Sequence, residues 1–202
     1  MSENLPLFPL QTILFPGGVL PLRIFEVRYL DMVKNCVRDQ GEFIICLIRE
    51  GQESGEAAEH YEVGTACKII DWEAMSDGLL GITVKGTRRV KIASARLQND
   101  QLAIGEVDYL SEEQDQQLPE KFAEWSELIV KIMQKLGSPF DQLNVEADSA
   151  FWVGARLTEY LPFELQIKQR ILEINQPLIR LEHLQDSLQK IEYYYSKGNF
   201  NT

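Results

Sequence analysis

The amino-acid sequence predicts an α+β chain: a small, partly closed antiparallel β-barrel with one inserted helix over residues 1–110, then a helical bundle over residues 111–202. Three observations carry this. Before Leu110, short apolar runs are punctuated by Gly, Pro, Asn and Asp. After it, apolar residues recur at three- and four-residue spacing. Between the two lies Ser111 to Glu120, which holds Glu112, Glu113, Asp115 and Glu120 and no base, as a solvated linker does.

Leu5 to Leu10 reads as an extended edge segment, because Pro6 and Pro9 lack an amide donor and fit an edge or a strand end. Phe15-Pro16-Gly17-Gly18 is a turn: Pro16 presets φ at its first corner and Gly17 accepts positive φ at its second. A strand from Val19 to Phe25 follows, interrupted by Pro21. Glu26 to Gln40 is a helix, with Tyr29, Leu30, Val33, Cys36 and Val37 on one face and Gly41 at its C-cap. Phe43 to Arg49 is a buried strand. Val63–Trp72, Leu79–Lys85, Arg89–Leu97 and Gln101–Tyr109 are four more, and the change of parity at Gly86-Thr87 predicts a β-bulge.

In the second half, Pro119 sits at the first turn of a helix whose apolar face runs from Phe122 through Trp125, Ile129 and Met133 to Leu136, with Gly137 as its stop. Asp148 or Ser149 caps a second helix ending before Leu161-Pro162. A third covers Glu164 to Ile174. A fourth starts at Pro177, with Leu181, Leu184, Leu188, Ile191 and Tyr195 at heptad-like spacing.

Composition narrows the function. The chain has 202 residues and a formal net charge of −11, so phosphate polymers and anionic lipid repel it on average, and nucleic acid is a disfavoured partner. Cys36, Cys46 and Cys67 are odd in number and widely spaced, which describes buried reduced thiols in a cytoplasmic protein and no disulfide framework. No basic region precedes the first apolar stretch, prolines interrupt that stretch, and no window approaches the ~18 apolar residues of a membrane span.

The usual catalytic signatures are missing. There is no phosphate loop, no G-x-G-x-x-G, no G-x-S-x-G and no H-E-x-x-H. His60 and His183 lie far apart and share no ligand spacing with the cysteines, so neither a metal nor a cofactor is expected. Glu50, Glu53, Glu56 and Glu59 recur every third position in a loop, which reads as a solvated loop more readily than as a cation site. Lys85, Arg88, Arg89, Lys91 and Arg96 form a basic cluster. It is the charged outer face of a strand or, alternatively, a contact for RNA, although stacking aromatics are missing beside it. Phe8, Phe15 and Phe25 are core, or the wall of a peptide groove held open by prolines.

Four blocks carry a resemblance. Leu5-Pro6-Leu7-Phe8-Pro9-Leu10 is followed by Phe15-Pro16-Gly17-Gly18-Val19-Leu20-Pro21-Leu22-Arg23-Ile24-Phe25-Glu26 and Arg28-Tyr29. Val63-Gly64-Thr65-Ala66 precedes Ile69, and Asp77-Gly78 precedes Gly86-Thr87-Arg88-Arg89-Val90. Leu161-Pro162 precedes Gln169-Arg170-Ile171-Leu172-Glu173 and Arg180-Leu181. Across nearly the whole chain the sequence resembles the Lon protease N-terminal, substrate-binding domain family. The first block is the specific one, since it combines prolines, aromatics and charges.

The resemblance implies a PUA-like β-barrel followed by a helical bundle, and a role in capturing unfolded or tagged proteins. In Lon enzymes an ATPase ring and a Ser–Lys protease domain follow; this sequence ends at Thr202 before either, so ATP hydrolysis and proteolysis do not carry over. The expectation is a non-catalytic, ATP-independent protein- or peptide-binding module whose partner is an unfolded polypeptide or another protein. An RNA-binding PUA-like module is the alternative. The expected site is a groove beside Phe15–Tyr29, closed by the bundle: Phe15, Pro16, Gly17, Pro21, Phe25 and Tyr29 supply its walls, and Arg23 and Arg28 bond a carboxylate or backbone carbonyls.

Overall fold

A computed structural model describes residues 2–53, 55 and 58–196, with side chains to Lys190. Glu56 of the acidic loop lies outside them, as do the side chains of Ile191 and Tyr195. The α+β architecture is as expected. Six strands come first, β1 (Glu3–Leu10), β2 (Val19–Ile24), β3 (Phe43–Glu50), β4 (Glu59–Ala74), β5 (Leu80–Leu97) and β6 (Ala103–Tyr109), with helix α1 (Val27–Asp39) between β2 and β3. Helices α2 (Ala123–Leu136), α3 (Ala150–Tyr160), α4 (Leu165–Glu173) and α5 (Pro177–Ser196) follow.

The sheet runs β2-β5-β4-β3-β1-β6, and β6 also pairs with β5, so five strands close on themselves and β2 hangs on β5 alone. All pairings are antiparallel except β1 with β3. That pair is parallel because the chain returns to it through β2 and α1 instead of a hairpin. Leu7, Ile44, Cys46, Ala66, Val90, Ile92 and Val107, drawn from all five closed strands, fill one core cluster. On the other face, Phe8, Phe43, Ile45, Ile82 and Val84 pack against Tyr29, Met32 and Val33 of α1. β3 is therefore buried on both faces, which is why its run is continuously apolar.

β1 is not the edge strand that its prolines suggest. It lies between β3 and β6, but Glu3–Pro6 pairs only with β6 and Leu7–Leu10 only with β3. Each half is bonded on a single side, so a missing amide is tolerated without leaving a ladder open. The segments around Gly86 form one strand, not two. The bulge falls between Thr65↔Arg89 and Cys67↔Gly86, where residues 87 and 88 oppose Ala66. Gly86 is required there: a Cβ would overlap the Phe15 carbonyl. Gly17 holds φ +77°, as its turn demands. At the end of α1 the left-handed residue is Gln40 (φ 52°), one position before Gly41.

The bundle core gathers Phe122, Ile129, Met133, Trp152, Val153, Leu157, Ile171, Leu181 and Leu184, and it reaches into the barrel to include Ile13, Phe15 and Leu47. Ser149 caps α3, its Oγ accepting from the Trp152 N–H at 2.8 Å. α2 starts at Ala123, after a single 3₁₀ turn at Glu120–Phe122. Cys36, Cys46 and Cys67 are all buried. Burial raises the Cys36 thiol to about 11 and pushes the other two up as well, which leaves them unreactive protonated thiols.

Candidate functional site

The residues expected to line one groove divide between three environments. Phe15 is fully buried, with the Arg180 guanidinium 4.8 Å above its ring. Arg28 is buried in an ion pair with Glu26 (2.9 Å) and donates to the Gln101 carbonyl (3.1 Å). Tyr29 packs on Phe8 with ring centroids 4.1 Å apart. None of these three offers a surface to a partner, since each is buried. Pro16 and Gly17 lie half-buried at the junction of barrel and bundle, while Pro21, Arg23 and Phe25 are exposed.

The basic cluster does not form one cationic surface. Arg89 is buried: it pairs with Glu113 at 2.9 Å and donates to the Leu172 carbonyl (2.7 Å), the Ile174 carbonyl (3.1 Å) and Asn175 Oδ1. Arg88 lies over the Tyr109 ring at 3.8 Å, and Lys91 stands 3.8 Å from Glu62. Lys85 and Arg96 are exposed. In the acidic loop, Glu53 accepts from the Gln11 N–H (2.6 Å) and Glu59 holds Arg49 (2.6 Å).

Two buried charge clusters weld the barrel to the bundle. In the first, Glu113 Oε1 receives both Arg89 (2.9 Å) and Arg180 (2.7 Å), and all three side chains are at most 4% exposed. In the second, Glu159 Oε1 accepts from the Phe15 N–H (2.7 Å) and Arg156 Nη2 (3.0 Å), Arg156 also reaches the Pro16 carbonyl (3.2 Å), and Lys168 donates to the Glu159 carbonyl (2.8 Å). Burial pushes the Glu159 carboxyl up to about 7 despite the opposing pull of Arg156. Burial likewise lowers Arg89. Sequence reasoning places Glu113 in a solvated linker, names Arg180 only within the block Arg180-Leu181 of the resemblance, and does not name Arg156 or Glu159. The only available signal was an arginine at an apolar position of a helical stripe. A cleft of about 220 Å³ opens beside the first cluster, between Pro16, Leu110 and Phe151.

The exposed residues belong to a three-stranded tongue. β4 beyond Cys67 pairs only with β5, and β2 pairs only with the first third of β5. Both edges are guarded against strand addition, one by Pro21, which has no N–H, and the other by the bulge at Ile70. The tongue's face remains open to solvent at Asp71, Glu73 and Arg23. There the register sets Arg23, Gly81 and Glu73 in one row, and Pro21, Thr83 and Asp71 in the next. A trough of about 330 Å³ opens on this part of the sheet, with Gly81 buried at its base beneath the Met75 and Glu73 side chains and Trp72 at its border. Trp72 and Phe25 are each 58% exposed and Ile70 51%. Arg23 is fixed across the tip by Asp77. Asp71, Glu73 and Thr83 are the polar side chains that line the trough together with Arg23.

Comparison with known proteins places this geometry. Residues 4–190 match the family model described as the ATP-dependent protease La (LON) substrate-binding domain. A Lon N-terminal domain protein from Xanthomonas campestris is 32% identical, with a TM-score of 0.74 over 91% of this chain and 98% of that one. The N-terminal domain of Mycobacterium avium complex Lon protease has a TM-score of 0.64 at 19% identity, covering 91% and 97%, a likeness of fold. Lon protease 1 of Syntrophobacter fumaroxidans is 28% identical over 89% of this chain but only 23% of its own length. The Lon protease of Anaeromyxobacter dehalogenans is 32% identical over 44% of this chain and 11% of its own. The chain thus spans about a quarter or less of these proteases, in the region of the substrate-binding domain, and among its described residues no helix is long and apolar enough to cross a membrane. With the barrel, the bundle and the family model in agreement over nearly its full length, the chain belongs to the Lon substrate-binding domain family.

Proposed function

We propose that this chain is a polypeptide-binding module that captures unfolded or partner protein in the tongue trough, in the cytoplasm, without hydrolysing ATP or cleaving what it binds. The trough supports this reading: Pro21, Met75 and the exposed Trp72 give it apolar lining beside Asp71, Glu73 and Arg23. Family membership supports it independently, because the domain is the substrate-binding part of Lon enzymes. Of the residues expected from the sequence, Pro21 and Arg23 line the trough, joined by Trp72, Met75 and Gly81, while Phe25 is exposed but does not line it. Pro16 and Gly17 act in the junction. The RNA reading loses Arg89 to a buried ion pair.

Short labelled apolar peptides, titrated by fluorescence anisotropy, test the proposal. A Cβ on Gly81 would stand 3.3 Å from Met75 Cγ and 3.4 Å from Glu73 Cγ, both ends of flexible side chains. Gly81→Val should therefore fold and fill the trough, weakening binding about tenfold. Trp72→Ala, at an exposed position, should weaken it as well. Unchanged affinity in both folded variants would remove the trough as the site.

A further inference from the structure

Charge along the trough is uneven. Asp71 and Glu73 stand on its β4 wall, two residues apart and on the same face. Neither has a cationic partner within 4 Å among the described residues, and the one arginine on the opposite wall, Arg23, is already held by Asp77. One row nearer the barrel, Lys68 and Lys85 lie directly opposite each other on that face, both exposed. Like charges paired across strands destabilise a sheet, and here they make the barrel end of the trough repel a cation. A cation entering the trough is therefore driven to the tip, against Asp71 and Glu73. The apolar stem of a long basic side chain fits the remaining surface, since Pro21 and Met75 line it.

From this arrangement we infer that the trough selects polypeptide segments carrying a lysine or arginine, whose charge meets Asp71 and Glu73 while its stem lies along Pro21 and Met75. The inference rests on the reading of the trough as a polypeptide site and names the class of segment it takes. The occupant is a basic client and not a second copy of the chain. A formal net charge of −11 steers cationic polypeptide toward the protein and sets two copies against each other.

The test compares three peptides of one apolar sequence, differing only in a central lysine, glutamine or glutamate, against the wild type and against Asp71→Lys/Glu73→Lys. The expected result is a lysine peptide held about three- to tenfold more tightly than the glutamine peptide at low salt. That margin should shrink as salt is raised, and the double variant should prefer glutamate. Equal binding of all three peptides by the wild type would overturn the charge selection and leave the polypeptide site standing. Binding of none of them would overturn both. Should the wild type dimerise in sedimentation at peptide-assay concentrations, and the double variant not, the occupant would be a second copy and the inference would fail.

Discussion

Replacing Glu113 by glutamine removes the carboxylate shared by two buried guanidiniums. Arg89 and Arg180 are 2% and 0% exposed in their side chains and meet Glu113 Oε1 at 2.9 and 2.7 Å. A neutral amide leaves two like charges facing each other out of water, without the anion between them. Breaking a buried pair by deleting one partner costs about 3–5 kcal/mol. The upper part of that range applies, since one deletion unpairs two cations and loosens the linker that Glu113 holds against α5. With a urea slope of roughly 2 kcal/mol/M, the unfolding midpoint should fall by about 2 M. Urea denaturation followed by far-ultraviolet circular dichroism reads this directly. Glu112→Gln, one residue away and exposed, should change stability by less than about 0.5 kcal/mol. A loss below about 1 kcal/mol for Glu113→Gln, or equal losses at the two positions, would refute the idea that this carboxylate welds the two halves.

Two further outcomes follow from the junction. Gly86→Ala should destabilise the fold by more than about 2 kcal/mol, because its Cβ would overlap the Phe15 carbonyl; Gly78→Ala, whose Cβ position has no neighbour within 4 Å, controls for crowding, its own cost arising from positive φ alone. For Glu159, burial raises the folded carboxyl to about 7 from an unfolded value near 4.5. The native state then binds the extra proton between those values, so the stability this group supplies is complete below about 4.5 and declines as pH climbs through 7. Against Glu159→Gln, which does not titrate, the wild type should lose of order 3 kcal/mol over that interval. A difference curve that stays flat, or rises with pH, would contradict the burial.

Local physics made much of the fold legible. The turn at Pro16-Gly17, the bulge after Gly86, the doubly buried β3 and the helix stop at Gly137 each follow from one residue's backbone preference or from one stretch of apolar periodicity. What stayed hidden depends on partners far away in the chain. Prolines in β1 read as an edge because nothing local reveals that each half of the strand is paired on a different side. Glu113 reads as one acid among several until Arg89 and Arg180 arrive from β5 and α5. Phe15, Arg28 and Tyr29 sit in the same specific block as Pro21 and Arg23, yet burial separates them, and a resemblance in sequence does not distinguish residues that shape a fold from those that face a partner. Trp72 reads in the sequence as an ordinary strand residue; the end of β4 beyond Cys67, paired with β5 alone, exposes it.

Amide hydrogen exchange, with and without a saturating basic apolar peptide, measures the location of binding most directly. Protection should rise in Val19–Phe25, Asp71–Met75 and Leu80–Thr83 and stay unchanged around Phe15 and Arg156–Glu159. Protection gained at the barrel–bundle junction while the tongue exchanges as before would contradict the account.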